Sequence, residues 1–128
     1  MKVKTFQSYE EAIQLLVDFL DMEPKQGSHR FKGWWIQNYI QGDRKSRPAI
    51  RFSFEGGLEW IKIVYALTYL GCSPTVNQSG KTTDIEIGTQ DEAYFLARLL
   101  RQKVNRKVSR QLLDLMWFIR DLRGLSNG

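Results

Sequence analysis

One cysteine, Cys72, and one histidine, His29, are all that 128 residues offer to thiol or soft-metal chemistry. A lone cysteine excludes an intramolecular disulfide, and the pair falls short of the four ligands of a structural zinc site. Cys72 follows an apolar segment and reads as buried filler. Long hydrophobic runs are missing too. The longest, Trp60–Leu70, is interrupted by Lys62 and Thr68 and is too short to span a bilayer. The first residues, MKVKTFQSYEE, contain no apolar core of a signal peptide. The expected setting is therefore the cytoplasm, or an organelle or nucleoid, without membrane association or secretion. No glycine-rich phosphate loop is present: the SGKT string at Ser79–Thr82 lacks the upstream glycine and sits within a hairpin pattern. Carboxylates are absent from one particular place, the thirteen residues Arg98–Arg110.

That last gap is filled by Arg98, Arg101, Lys103, Arg106, Lys107 and Arg110. From Arg98 to Arg123 eight Lys/Arg stand against Asp114 and Asp121, a balance of +6 in a chain whose total is +5. All other residues together sum to −1, so the net positive charge belongs to one C-terminal block. Charge concentrated in this way points to a polyanion more strongly than an evenly high pI would. A hydrophobic content of 42% with 12% aromatics describes a folded chain, and the length suits one domain with a substantial core.

Periodicity then orders the chain. Ser8-x-x-Glu11 forms a capping box ahead of Ala12, Ile13, Leu16, Val17 and Leu20, which recur at helical spacing and stop before Pro24. His29–Gln41 and Pro48–Phe54 alternate as two strands around the turn Gly42–Arg47. Leu58–Leu70 is a helix apolar on most sides, closed by Gly71. Pro74–Asn77 and Thr82–Ile87 form a second hairpin, with Val76, Ile85 and Ile87 inward. Thr89-x-x-Glu92 opens a helix whose core face is assigned to Phe95, Leu96, Leu99 and Leu100. The pattern restarts near Asn105, with Leu113 and Trp117 lying off the main apolar stripe, and ends at Gly124. The expected fold is α+β: a four-stranded antiparallel sheet with helices on one face, in the order αββαββα(α). Its other face is wet and carries Arg51, Ser53, Asn77, Asp84 and Glu86.

A two-stranded ribbon fits the major groove of DNA, where polar side chains meet base edges. Candidates on the strands are Arg30, Lys32, Gln37, Asn38, Arg51, Asn77 and Gln78, with Arg44, Lys45 and Arg47 at the hairpin tip for phosphates. Arg98, Arg101, Arg106, Lys107 and Arg110 would add phosphate contacts. Trp34, Trp35 and Tyr39 could stack on unpaired bases. Asp84 and Glu86 run against this, since they repel phosphate unless they read cytosine amino groups.

The order of elements, with IRFSF leading to a helix that ends Leu70-Gly71-Cys72, then FLARLLRQK and a basic break, resembles a single LAGLIDADG homing-endonuclease module over Pro48–Arg123. The family's signature helix would fall on Leu16–Glu23, where Phe19, Leu20 and Asp21 agree in type. Val17 and Asp18 replace the small pair Ala-Gly, and Met22 replaces Gly. The resemblance implies a nucleic-acid-binding protein, DNA before RNA, with weak or no nuclease activity. An active form would be a magnesium-dependent homodimer, with Asp21 and Glu23 as metal ligands and Arg106 or Lys107 helping to activate water. A third alternative is a protein-interaction module that uses Trp34, Trp35, Tyr39 and Trp117 beside the basic block.

Overall fold

The computed structural model describes residues 7–21, 32–37 and 48–127. Helix α1 (Tyr9–Asp21) begins as its sequence prescribes: the Ser8 hydroxyl accepts the Glu11 amide at 3.3 Å, and the Glu11 carboxylate accepts the Gln7 amide at 3.0 Å. One orphan amide of the first turn, that of Glu11, is thereby satisfied, and the amide of Gln7 ahead of the helix is tied back to it. Strands β1 (Lys32–Gln37) and β2 (Ala49–Glu55) pair antiparallel, with Trp34 opposite Phe52 and Trp35 opposite Arg51.

Helix α2 (Glu59–Tyr69) ends in a Schellman motif. The Cys72 amide donates to the Leu67 carbonyl and the Gly71 amide to Thr68, both at 3.0 Å. Gly71 sits at φ 93°, which a side chain would strain. Strands β3 (Thr75–Ser79) and β4 (Thr82–Ile87) meet through Gly80-Lys81. Gly80 has φ 61° while Lys81 does not leave the negative region, the combination a two-residue II′ hairpin needs. Helices α3 (Gln90–Leu100) and α4 (Arg106–Asn127) complete the chain.

The sheet order is β1-β2-β4-β3, antiparallel throughout, so the two hairpins join through their second strands. The molecule is thus α+β, four strands and four helices among the described residues. Ile50, Phe52, Phe54, Ile85 and Ile87 share one sheet face and pack with Leu16 and Leu20 of α1, Leu67 of α2, Leu96 and Leu100 of α3, and Leu112, Leu115 and Ile119 of α4. The Phe19 ring lies 5.7 Å from Phe52 and 5.1 Å from Phe54, fixing the end of α1 against β2. Burying each such ring or leucine contributes roughly 1.5–3 kcal/mol. No described helix is long and apolar enough to cross a membrane.

Several expectations change. The inward face of α3 is Ala93, Leu96, Ala97 and Leu100, while Phe95 is 47% exposed. Helical phase decides this: residue 95 lies well round the helix from residues 93, 96, 97 and 100. Thr89 does not cap α3 by accepting an amide. Its hydroxyl donates to Glu92 at 2.8 Å, and the same carboxylate accepts the Ser73 amide, tying α3 to the loop after α2. Val76 aligns with Ile85 but is 38% exposed, because β3 is an edge strand. Gly124 does not end α4, which continues through Asn127.

Candidate functional site

Between α3 and α4 the chain turns in five residues, and the turn is built by hydrogen bonds that leave its cations outside. Lys103 and Val104 amides return to the Leu100 carbonyl at 2.9 and 3.3 Å. Asn105 then caps α4: its side-chain oxygen accepts the Val108 amide at 2.9 Å, and its carbonyl accepts Ser109 at 2.8 Å. The Asn105 amide in turn donates to the Asp21 carboxylate at 2.9 Å, which fastens the end of α1 to the start of α4. A carboxylate at the C-terminal end of its own helix is poorly placed for the helix dipole; at the N-terminal pole of α4 it is well placed.

Around this elbow Arg98, Lys103, Arg106, Lys107 and Arg110 are exposed and Arg101 is half-buried. None of the six forms an ion pair with a described residue. Arg101, Gln102, Val104, Arg106, Ser109, Arg110 and Leu113 line an open groove of about 780 Å³. A second depression of about 470 Å³ lies against the other flank of Arg106 and Arg110, beside Lys107 and Asp114. Arg106 and Arg110 therefore form a ridge between two concave surfaces, one turn apart on α4. Guanidinium groups on such a ridge can approach an anion's oxygens from both sides.

The open face of the sheet differs in charge. Register brings Gly33, Ser53, Asp84 and Asn77 into one row and Trp35, Arg51, Glu86 and Thr75 into the next. Arg51 pairs with Glu86 at 3.2 Å, and the Ser53 hydroxyl donates to Asp84. Ser53, expected to be wet, is only 3% exposed and serves as a buried partner for that carboxylate. Asn77 is exposed, on the edge strand. Among the described residues, Arg51 faces Glu55, Asp84 and Glu86 on these alternating positions of β2 and β4, one cation against three acids.

Trp34 belongs to the core at 8% exposure, which removes it from any stacking surface. Among the described residues the exposed tryptophan is Trp117 on α4, 54% exposed, with the Arg120 guanidinium 5.0 Å from its ring centroid. Lys32 and Gln37 align with Phe54 and Ala49 in the sheet, and their side chains lie outside the described residues. So do Glu23, Arg30, Asn38, Tyr39, Arg44, Lys45 and Arg47. Of the proposed metal acids, Asp21 is described, and its carboxylate is engaged by Asn105. No group of three His, Cys, Asp or Glu among the described residues is arranged to hold a metal ion. Cys72 is buried, and burial, followed by the charge of Glu92, pushes its thiol up to about 11. It is therefore a protonated packing residue at neutral pH.

The basic run of the sequence lies around the α3–α4 elbow, whereas the Asp21–Asn105 link, whose partners are 84 positions apart, has no signal in the sequence. No family model matches the chain, and no curated protein matches it.

Proposed function

We propose that the protein binds nucleic acid, DNA in the first instance, through phosphate contacts made by the α3–α4 elbow. The carrying observation is the elbow itself: six Lys/Arg in thirteen residues, five of them exposed and none ion-paired to a described residue. Phosphate neutralisation by such groups releases condensed counterions, and that release supplies most sequence-independent affinity. The antiparallel order β1-β2-β4-β3 with helices interleaved is in keeping with the likeness to a single LAGLIDADG module. In this reading base recognition by the sheet is secondary, because the described acids on its open face repel phosphate.

Nuclease activity is weak or absent in this proposal. The Asn105 amide holds one oxygen of the Asp21 carboxylate, which leaves the other as the oxygen that could ligate magnesium beside Glu23. The deciding experiment is an electrophoretic shift of a short duplex at 50 and 200 mM salt, run beside supercoiled plasmid with magnesium. Binding that weakens at least tenfold over that interval is expected from several phosphate contacts. Binding indifferent to salt would contradict the proposal. Plasmid cleavage lost on Asp21→Asn or Glu23→Gln would replace it with the nuclease reading.

A further inference from the structure

Residues 106, 110, 113, 117 and 120 fall at helical intervals of four, three, four and three, which puts them on a single side of α4. They are Arg106, Arg110, Leu113, Trp117 and Arg120. The stripe is about 20 Å long at the rise of an α-helix. Its four long polar and aromatic members are exposed, and Leu113 is half-buried. The inward side of the same helix, Val108, Leu112, Leu115, Met116 and Ile119, is fully engaged in the core, so the stripe is not needed for folding. Asp114 and Asp121 border it on one flank; the groove with Arg101 and Gln102 borders it on the other.

Cations stand at both ends of this stripe and an apolar surface occupies its middle. A duplex would meet the arginines with phosphates but would leave the indole facing a charged backbone. A single strand offers phosphates and open base faces together, and base–aromatic stacking adds to electrostatic attraction. Trp117 is prepared for that role: Arg120 lies over its ring, while 54% of the residue stays accessible. A cation held over one face of an indole steadies the orientation of the ring.

We infer that the outer face of α4 is a track for single-stranded nucleic acid, with Trp117 stacking an unpaired base between phosphate contacts from Arg106, Arg110 and Arg120. This rests on the nucleic-acid reading above and specifies its ligand. The test is fluorescence anisotropy with labelled single-stranded DNA, single-stranded RNA and a duplex of the same sequence. Anionic phospholipid vesicles serve as competitor, and circular dichroism monitors the fold. The expected result is a preference for at least one single strand over the duplex. Trp117→Ala weakens the single-strand complex roughly tenfold, Trp117→Phe retains most of it, and duplex binding moves less than twofold in both. The stronger of the DNA and RNA arms identifies the sugar. If Trp117→Ala leaves single-strand affinity unchanged while Arg106→Gln/Arg110→Gln lowers it, the stacking track is wrong and the phosphate reading stands. Absence of binding to all three oligonucleotides overturns both. Trp117-dependent binding to vesicles in place of oligonucleotides reassigns the face to a lipid surface.

Discussion

The open sheet face and the α3–α4 elbow both carry charged side chains, yet they are built for opposite ends. On the sheet, charges are answered locally: Arg51 by Glu86, Asp84 by the Ser53 hydroxyl. Cross-strand neighbours of this kind stabilise the pairing itself. At the elbow, backbone and Asn105 hydrogen bonds form the turn and the cations play no part in it. Charge that is not consumed by the fold remains for a ligand. A total of +5 would not distinguish the two regions; the way each charge is partnered does.

The sharpest way to break this contrast is to neutralise the elbow. Replacing Arg101, Arg106 and Arg110 together with Gln lowers nucleic-acid affinity on the order of 100-fold near 0.1 M salt, by loss of about three phosphate contacts. Arg106 and Arg110 are exposed and Arg101 is half-buried with no ion pair to a described residue, so the stability change stays small, which a urea titration followed by circular dichroism checks. The scaffold beneath both regions is tested by pH. The folded-state thiol of Cys72 stands at about 11 against an ordinary 9.0, so the native state holds its proton where the unfolded chain releases it. Its contribution is therefore complete below pH 9 and is lost as pH rises from 9 to 11, about 2 kcal/mol in all. Denaturation midpoints of the protein and of Cys72→Ala compared over pH 8–11 reveal it as a loss the variant does not share.

Asp21→Asn probes the fastening of α1 to the elbow. Removing the charged acceptor of the Asn105 amide costs about 1 kcal/mol of stability, while nucleic-acid affinity holds within twofold, as read by thermal melting and anisotropy. The smallest effect belongs to the sheet. Arg51→Met with Glu86→Met changes stability by about 0.5 kcal/mol, as partly exposed pairs do, and leaves binding unaltered. A large loss of affinity there would return the sheet face to the centre of recognition.

What could be read from the chain follows the range of the interaction. Binary alternation in PAIRFSF and TTDIEI set the strands and their inward faces because neighbouring residues determine them, whereas the β2–β4 register joins residues far apart in the chain. The Gly71 stop was equally local, as was the elbow's charge, a run of cations with no acid inside it. Phe95 shows the weakness of hydrophobicity as a guide to burial: two alanines, at 93 and 97, take the inward positions because the helix phase and close packing suit them. Trp34 reads in sequence as a stacking candidate and Trp117 only as part of a protein-interaction surface; the sheet register and the apolar stripe of α4 put the first in the core and the second on the surface. Asp21 matches a metal acid by type, whereas its partner is fixed by tertiary contact with a helix start far along the chain.

The central claim is most directly tested by the salt dependence of binding, measured as log K against log salt for the protein and for Arg106→Gln/Arg110→Gln. If the elbow holds phosphates, the slope of the variant is shallower by roughly two, one for each contact removed. An unchanged slope would mean that the elbow cations do not touch the ligand, and the account would fail.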